Sequence, residues 1–287
     1  MRFAPFLALA LTFAVRPLGA ATADLDDARK SYQTTDYKKV IAKLTALEPK
    51  DRAAWQLLGQ AHFMATDHKK AIEIFEKAVA ADPSSSESMN WLGRAYGRLA
   101  ETSSAFTAPR HAVKARQAFE RAVQLDPNNK EALNDLFEYY ISAPGFLGGG
   151  TSKAEQLVEK IAKLDAAEGH YAHAQLADKR KDYNAAETQL RRAAELAPKQ
   201  IGRILDLAKF LAKRGRISES DSVFAHAVKV APASPRVLFD RAETYVEQKR
   251  NLPDARVLLE KYLTSSLTPD DPPRERAQEL LKIAKGA

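Results

Sequence analysis

Two short segments carry residue types whose spacing invites chemistry. The first runs Pro144-Gly145-Phe146-Leu147-Gly148-Gly149-Gly150-Thr151-Ser152-Lys153. A phosphate-cradling loop needs G-x-x-x-x-G-K-[ST], so that backbone amides surround the phosphate and the lysine meets its charge. Gly145 and Gly150 have that spacing, but Thr151 stands at the lysine position and Lys153 comes two residues late. The segment therefore reads as a connecting loop that uses glycine for unusual dihedrals. The competing reading is an anion site made by exposed amides at the following helix N-terminus. His170 and His173 form the second segment, one helical turn apart. A protein metal site needs three or four donors, and no third ligand lies nearby, so both histidines are expected to pack against a neighbouring helix. His62, His68, His111 and His226 are dispersed, and the chain has no cysteine. Neither G-x-S-x-G nor H-E-x-x-H occurs. The chain is expected to be non-enzymatic, with no cofactor and no resident metal.

Charge is better patterned than chemistry. From His170 to Arg216, eleven basic residues (among them Lys179, Arg180, Lys181, Arg191, Lys213, Arg214 and Arg216) stand against five acidic ones. One reading is a solvated outer face; the other is a positive surface for an anionic glycan or small anion, spanning 179–216. The whole chain carries a formal +7, too mild for a nucleic-acid-binding tail, so no nucleic-acid partner is expected.

These residues sit in a chain that repeats itself. Trp55, Leu58, Gly59, Ala71, Phe75, Ala78 and Pro83 make one unit. Leu92, Gly93 and Tyr96 recur 34 residues after Leu58, Gly59 and His62, and Phe224, Ala227 and Pro232 recur 34 after Leu190, Ala193 and Pro198. Trp55, Leu58 and His62 fall on one face of a first helix, and Ala71, Phe75 and Ala78 on one face of a second. Gly59 has no side chain, so the second helix can come close there. Pro83 ends the pair, because proline cannot continue a helix interior. A helix of 12–14 residues is marginal alone, so each pair must stack on its neighbours.

The pattern W-x2-L-G-x2-Y…A-x3-F…P resembles the tetratricopeptide repeat, and the segment around 143–154 resembles an insertion in a group of exported bacterial tetratricopeptide proteins. The expected fold is an all-α, right-handed superhelical solenoid of about seven helix pairs with a C-terminal capping helix. The pairs are placed at about 24–51, 52–85, 86–129, 130–165, 166–198, 199–234 and 235–265, with the cap at 272–286. Asp36-Tyr37 opens the second helix of the first pair, and Pro49 stops it. The third pair carries ten extra residues before its second helix and the fourth carries five. The first helix of the fifth pair is ambiguous by a residue or two.

The resemblance implies a non-enzymatic scaffold that holds a protein or extended peptide against the inner face of its first helices. By that resemblance the groove positions are Gln56, Gln60, Phe63, Asn90, Arg94, Asn134, Glu138, Lys209, Phe239 and Glu243. Changing Asn90 and Arg94 together to alanine is expected to weaken binding without altering stability. The insertions at 97–112 and 144–152 leave the same edge of the superhelix, with Phe106, Phe146 and Leu147 as apolar anchors for docking.

The N-terminus reads as an address. Arg2 precedes a thirteen-residue apolar run, Phe3 to Val15, and Ala21-Thr22-Ala23 supplies an A-x-A site. At 1.5 Å per residue the run covers roughly 20 Å, short of the ~30 Å hydrocarbon core. Residues 1–23 are expected to be a secretory signal cleaved after Ala23, leaving a periplasmic or secreted chain, 24–287, with no stable membrane insertion. Cleavage would remove Arg2 and Arg16 and no acid.

Overall fold

The computed structural model describes residues 18–47 and 51–286; the expected n-region and apolar run of the signal, and Pro49, lie outside them. Fifteen α-helices succeed one another with no strand among the described residues. They are α1 (Leu18–Gln33), α2 (Tyr37–Leu47), α3 (Arg52–Met64), α4 (His68–Ala81), α5 (Ser86–Thr102), α6 (Ala108–Leu125), α7 (Lys130–Ser142) and α8 (Thr151–Leu164). Then come α9 (Ala166–Lys179), α10 (Tyr183–Leu196), α11 (Ile201–Lys213), α12 (Ile217–Val230), α13 (Pro235–Glu247), α14 (Leu252–Thr264) and α15 (Arg274–Gly286). Seven antiparallel pairs and a last helix result, as the repeat predicts.

Local chemistry sets these boundaries. Asp51, Asp67, Ser85, Asn129, Asp165 and Asp182 each accept a hydrogen bond from an amide in the first turn they precede, satisfying donors that a helix start leaves unpaired. The regular pairs turn through a residue in the left-handed region: Thr35, Thr66, Lys181, Gly215 and Lys249 all have φ between 50° and 75°. Gly59 and Gly93 do what their place in the repeat demands, since a Cβ on either would stand 2.6 Å from the ring of Phe75 or Phe119.

Apolar faces then lock the pairs together. Phe75, Phe119, Val158, Leu190, Phe224 and Leu259 are buried on successive second helices. The first helices also touch one another, α1 to α3, α3 to α5, α5 to α7, α7 to α9 and α11 to α13. The even-numbered helices make no comparable packing among themselves, so the odd-numbered ones form the inner layer.

Of the two irregular pairs, one differs from the expected loop and one keeps it. The ten extra residues of the third pair are absorbed mostly as helix: α5 and α6 run 17 and 18 residues against 13 and 14 in α3 and α4, leaving 103–107 as the connection. The fourth pair keeps its insertion as a loop built on a 3-10 turn, Gly145–Leu147.

Candidate functional site

The glycine-rich segment has committed its amides to itself. Leu147 and Gly149 donate to Pro144 O, Gly148 to Gly145 O, and Gly150 to Tyr140 O. Lys153 Nζ turns back to Gly148 O at 3.0 Å. A Cβ on Gly149 would fall 1.9 Å from Ala143 O, so glycine is required there for close packing. The amides at 147–150 are therefore unavailable to a phosphate. His170 Nδ1 lies 2.6 Å from Gln189 Oε1, and His173 lines a separate cavity beside Glu155 and Glu159. No group of three potential metal ligands occurs among the described residues.

The basic stretch is largely neutralised by its own surroundings. Arg180 pairs with Glu155, Arg191 and Arg216 with both Glu187 and Glu219, Arg192 with Glu195, and Lys213 with Asp178. Arg214 lies over the Tyr183 ring, 3.7 Å from its centre.

The concave face is where polar groups remain open. One cavity of about 780 Å³ is lined by Arg29 and Tyr32 of α1, Arg52, Gln56 and Gln60 of α3, and Trp91 and Arg94 of α5. Pro269 and Asp270, from the linker before α15, close its far side. Burial pushes the Tyr37 hydroxyl pKa up to about 12, and Asp270 adds to that shift. Gln56 is only 5% exposed, yet neither its Oε1 nor its Nε2 has a hydrogen-bond partner. Asn90 is buried too; its Nδ2 donates to Asp135 Oδ2 at 2.7 Å, and its Oδ1 is unpartnered. Arg94 binds the same Asp135 oxygen, reaches Glu131 at 3.6 Å and lies over Trp91. Removing Asn90 and Arg94 together would strip Asp135 of both partners. The double alanine variant therefore disturbs stability as well as the groove, contrary to the expectation from sequence.

Trp91 and Arg94 also line the next cavity, about 700 Å³, with Phe63, Phe119, Glu138, Tyr139 and Leu147. Here the expected groove residues and one loop residue meet. Phe63 meets Trp91 edge-on at 5.4 Å between ring centres, and Tyr139 Oη donates to Leu147 O. Phe106 and Phe146 stand outside it, 98% and 82% exposed.

The C-terminal half is lined differently. Asn134 donates to Glu168 at 3.3 Å, and Arg203 joins Glu168 at 3.4 Å to Asp206 at 3.1 Å while lying over Tyr171. Lys209 and Arg236 both hold Asp240, which is 2% exposed. Burial raises the carboxyls of Glu168 and Asp206 above their ordinary values despite Arg203. Lys209 lines a third cavity, about 570 Å³, with Tyr171, Gln175, Asp178 and Asp206. That settles the ambiguous helix: Tyr171, Gln175 and Asp178 are its inward residues. Two positions fall elsewhere than expected. Phe239 is buried against Tyr262, 5.2 Å between ring centres, and Glu243 is paired with Arg276 of α15 at 3.3 Å. The last helix covers the groove there. Repeat spacing misses Asp135, which lies one position beyond the expected place on α7, and only the fold shows it reaching back to α5.

Comparison with known proteins agrees with this architecture. Residues 36–140 match the family model described as Tetratricopeptide Repeats-Sensor, and 167–200 match a Tetratricopeptide repeat model. A tetratricopeptide repeat protein from Parabacteroides merdae is similar in structure, with a TM-score of 0.60 and 16% identity over 93% of this chain and 99% of that one. A thermophilic protein of the same repeat type from Thermus thermophilus has a TM-score of 0.56 and 20% identity, covering 66% of this chain and 98% of its own. No curated protein sequence matches.

Proposed function

The chain is a tetratricopeptide-repeat protein, and from that premise we propose that it is an exported, non-enzymatic scaffold holding an extended peptide segment of a partner in its concave groove. The observation that carries this reading is Gln56, which lines the groove cavity with neither amide atom partnered, beside Asn90 on the next inner helix, whose Oδ1 is unpartnered. A buried polar atom without a partner costs about 1–3 kcal/mol. An extended peptide offers alternating N–H and C=O groups, the complement such amides lack. A rigid curved surface also loses little conformational entropy on binding. The anionic-ligand reading of 179–216 has less support, because ion pairs neutralise most of its arginines.

Export rests on residues 1–23. Cleavage after Ala23 would leave Leu25, Ala28 and Tyr32 of α1 in the N-terminal core, so processing is compatible with the packing. An intact N-terminal mass on the exported chain would defeat cleavage after Ala23, and absence of the chain from the exported fraction would defeat export.

Selection from a random dodecapeptide library on the full chain tests the groove. Enriched peptides are expected to bind the Gln56→Leu variant about tenfold more weakly, the loss of roughly one good hydrogen bond, without a fall in melting temperature. Equal binding by the variant would remove Gln56 from the site, and no enrichment would remove the peptide reading.

A further inference from the structure

The cavity next to Gln56 along the groove is walled in part by residues that break the repeat. In α3 the first helix is 13 residues long, and α5 would end at Arg98 on that pattern. The lining residues Ala100 and Glu101 belong to its extra turn, and Pro144 and Leu147 belong to the five-residue insertion after α7. Two separate departures from the 34-residue period thus help to wall one hollow. Phe63, Trp91, Phe119 and Tyr139 supply its aromatic interior.

Its charges are unevenly used. Arg94 is held by Asp135 and Glu131, and Arg98 by Glu101 at 2.8 Å. Glu138 is exposed at the cavity and receives only the Ser142 hydroxyl, at 3.1 Å. It is the cavity's one charged side chain without an ionic partner among the described residues.

We propose that this hollow takes a bulky apolar side chain of the bound peptide while Glu138 meets a lysine or arginine beside it. Because Trp91 and Arg94 line both cavities, a single extended strand can pass from Gln56 to the aromatic hollow. Gln56 would hold its backbone, and the hollow and Glu138 would select its sequence. This rests on the peptide-groove reading and adds specificity to it.

The same library, selected on the full chain and on Ala112→Trp and Glu138→Lys variants, tests it. Ala112 lines the hollow from α6, and tryptophan there fills it. The unaltered chain is expected to enrich peptides with leucine or an aromatic residue flanked by lysine or arginine. A synthetic peptide of that pattern should bind Ala112→Trp tenfold or more weakly, the effect of withdrawing one bulky apolar side chain from its pocket. Glu138→Lys should turn the flanking preference from basic to acidic. Circular dichroism melting of both variants checks that they fold. If either unfolds, Leu147→Ser and Glu138→Gln replace them, with the same loss expected for the first and loss of the basic preference for the second.

Enrichment with no apolar–basic pattern, or with a pattern unchanged in the variants, overturns the specificity while leaving the groove reading intact. No enrichment at all overturns both. Sedimentation of the chain alone is expected to show a monomer. Self-association abolished by Ala112→Trp would give the hollow to a second copy's Phe106 and overturn the proposal.

Discussion

The two halves of the groove fill the same helix positions with different proportions of amide and charge. Along α3, α5 and α7 the inner face carries amides and aromatic rings, and buried polar atoms of Gln56 and Asn90 are left without partners. Along α9, α11 and α13 it carries mostly charges, and these answer one another in a chain running from Glu168 through Arg203 to Asp206, with Lys209 and Arg236 on Asp240, although Gln175 Oε1 is also without a partner. A repeat protein is stabilised by each unit's own packing and by its interface with the next. Both halves tie neighbouring units through inner side chains, Asn90 and Arg94 to Asp135 in the first and the longer series from Glu168 to Asp240 in the second. The N-terminal half leaves more hydrogen-bonding capacity open, at a cost in stability that a bound strand would recover.

Opposite signs on substitution would sharpen that contrast. The largest effect is expected at Asp240, where alanine would deprive Lys209 and Arg236 of the buried carboxylate they share. Removing one partner of a buried ion pair costs about 3–5 kcal/mol. Both cations keep part of their solvent contact, so a loss of about 2–3 kcal/mol is expected for Asp240→Ala. Chemical denaturation measures it, and a change below about 1 kcal/mol would show that the charges do not join the units.

Gln56→Leu should move the other way. Leucine nearly matches the volume and removes two buried atoms with no partner, so a gain of about 1–2 kcal/mol is expected. A stabilised variant that has lost peptide binding would identify the glutamine as functional, since a residue kept for folding alone would lower stability when replaced. A loss of stability would mean the amide is satisfied in solution, and the contrast between the halves would collapse.

Much of the fold was legible because the repeat encodes it in side-chain sizes. Gly59 and Gly93 against Phe75 and Phe119 is a contact that sequence spacing alone announces. The first insertion was legible only as length. Ten residues after Tyr96 can be loop or helix, and Pro109 at the start of α6 with a run of helix formers behind it made them helix. The groove was half legible. Gln56, Gln60 and Arg94 meet in one cavity because their positions repeat, whereas Phe239 turns into the core against Tyr262, in a cluster that α15 completes. The element stacked after a repeat decides the fate of its inner face, and a single repeat does not record that neighbour. The ion pairs of 179–216 were hidden for a related reason. Glu155 and Glu219 lie outside the basic run in sequence; Glu155 reaches Arg180, and Glu219 reaches Arg191, only across the packing of neighbouring helices.

The smallest effect is the most diagnostic of the charged half. Asp206 is held above its ordinary value mainly by burial, with Asp240 adding to the shift and Arg203, Lys209 and Arg236 opposing it. Glu168 is raised for the same leading reason. A carboxyl with a raised folded value binds its proton more tightly folded than unfolded. Its contribution to stability is full below about pH 4, the unfolded range, and is lost as the pH climbs through the folded value. Asp206→Asn removes one such group without changing its size. The melting temperature of the variant relative to the unaltered chain should therefore rise from pH 4 upward and level off once Asp206 is ionised. A constant difference between about pH 4 and 7 would show that Arg203, not burial, governs the carboxyl. The gain from Gln56→Leu should be the same across that range, because an amide does not titrate. One half of the groove would then answer to pH and the other would not.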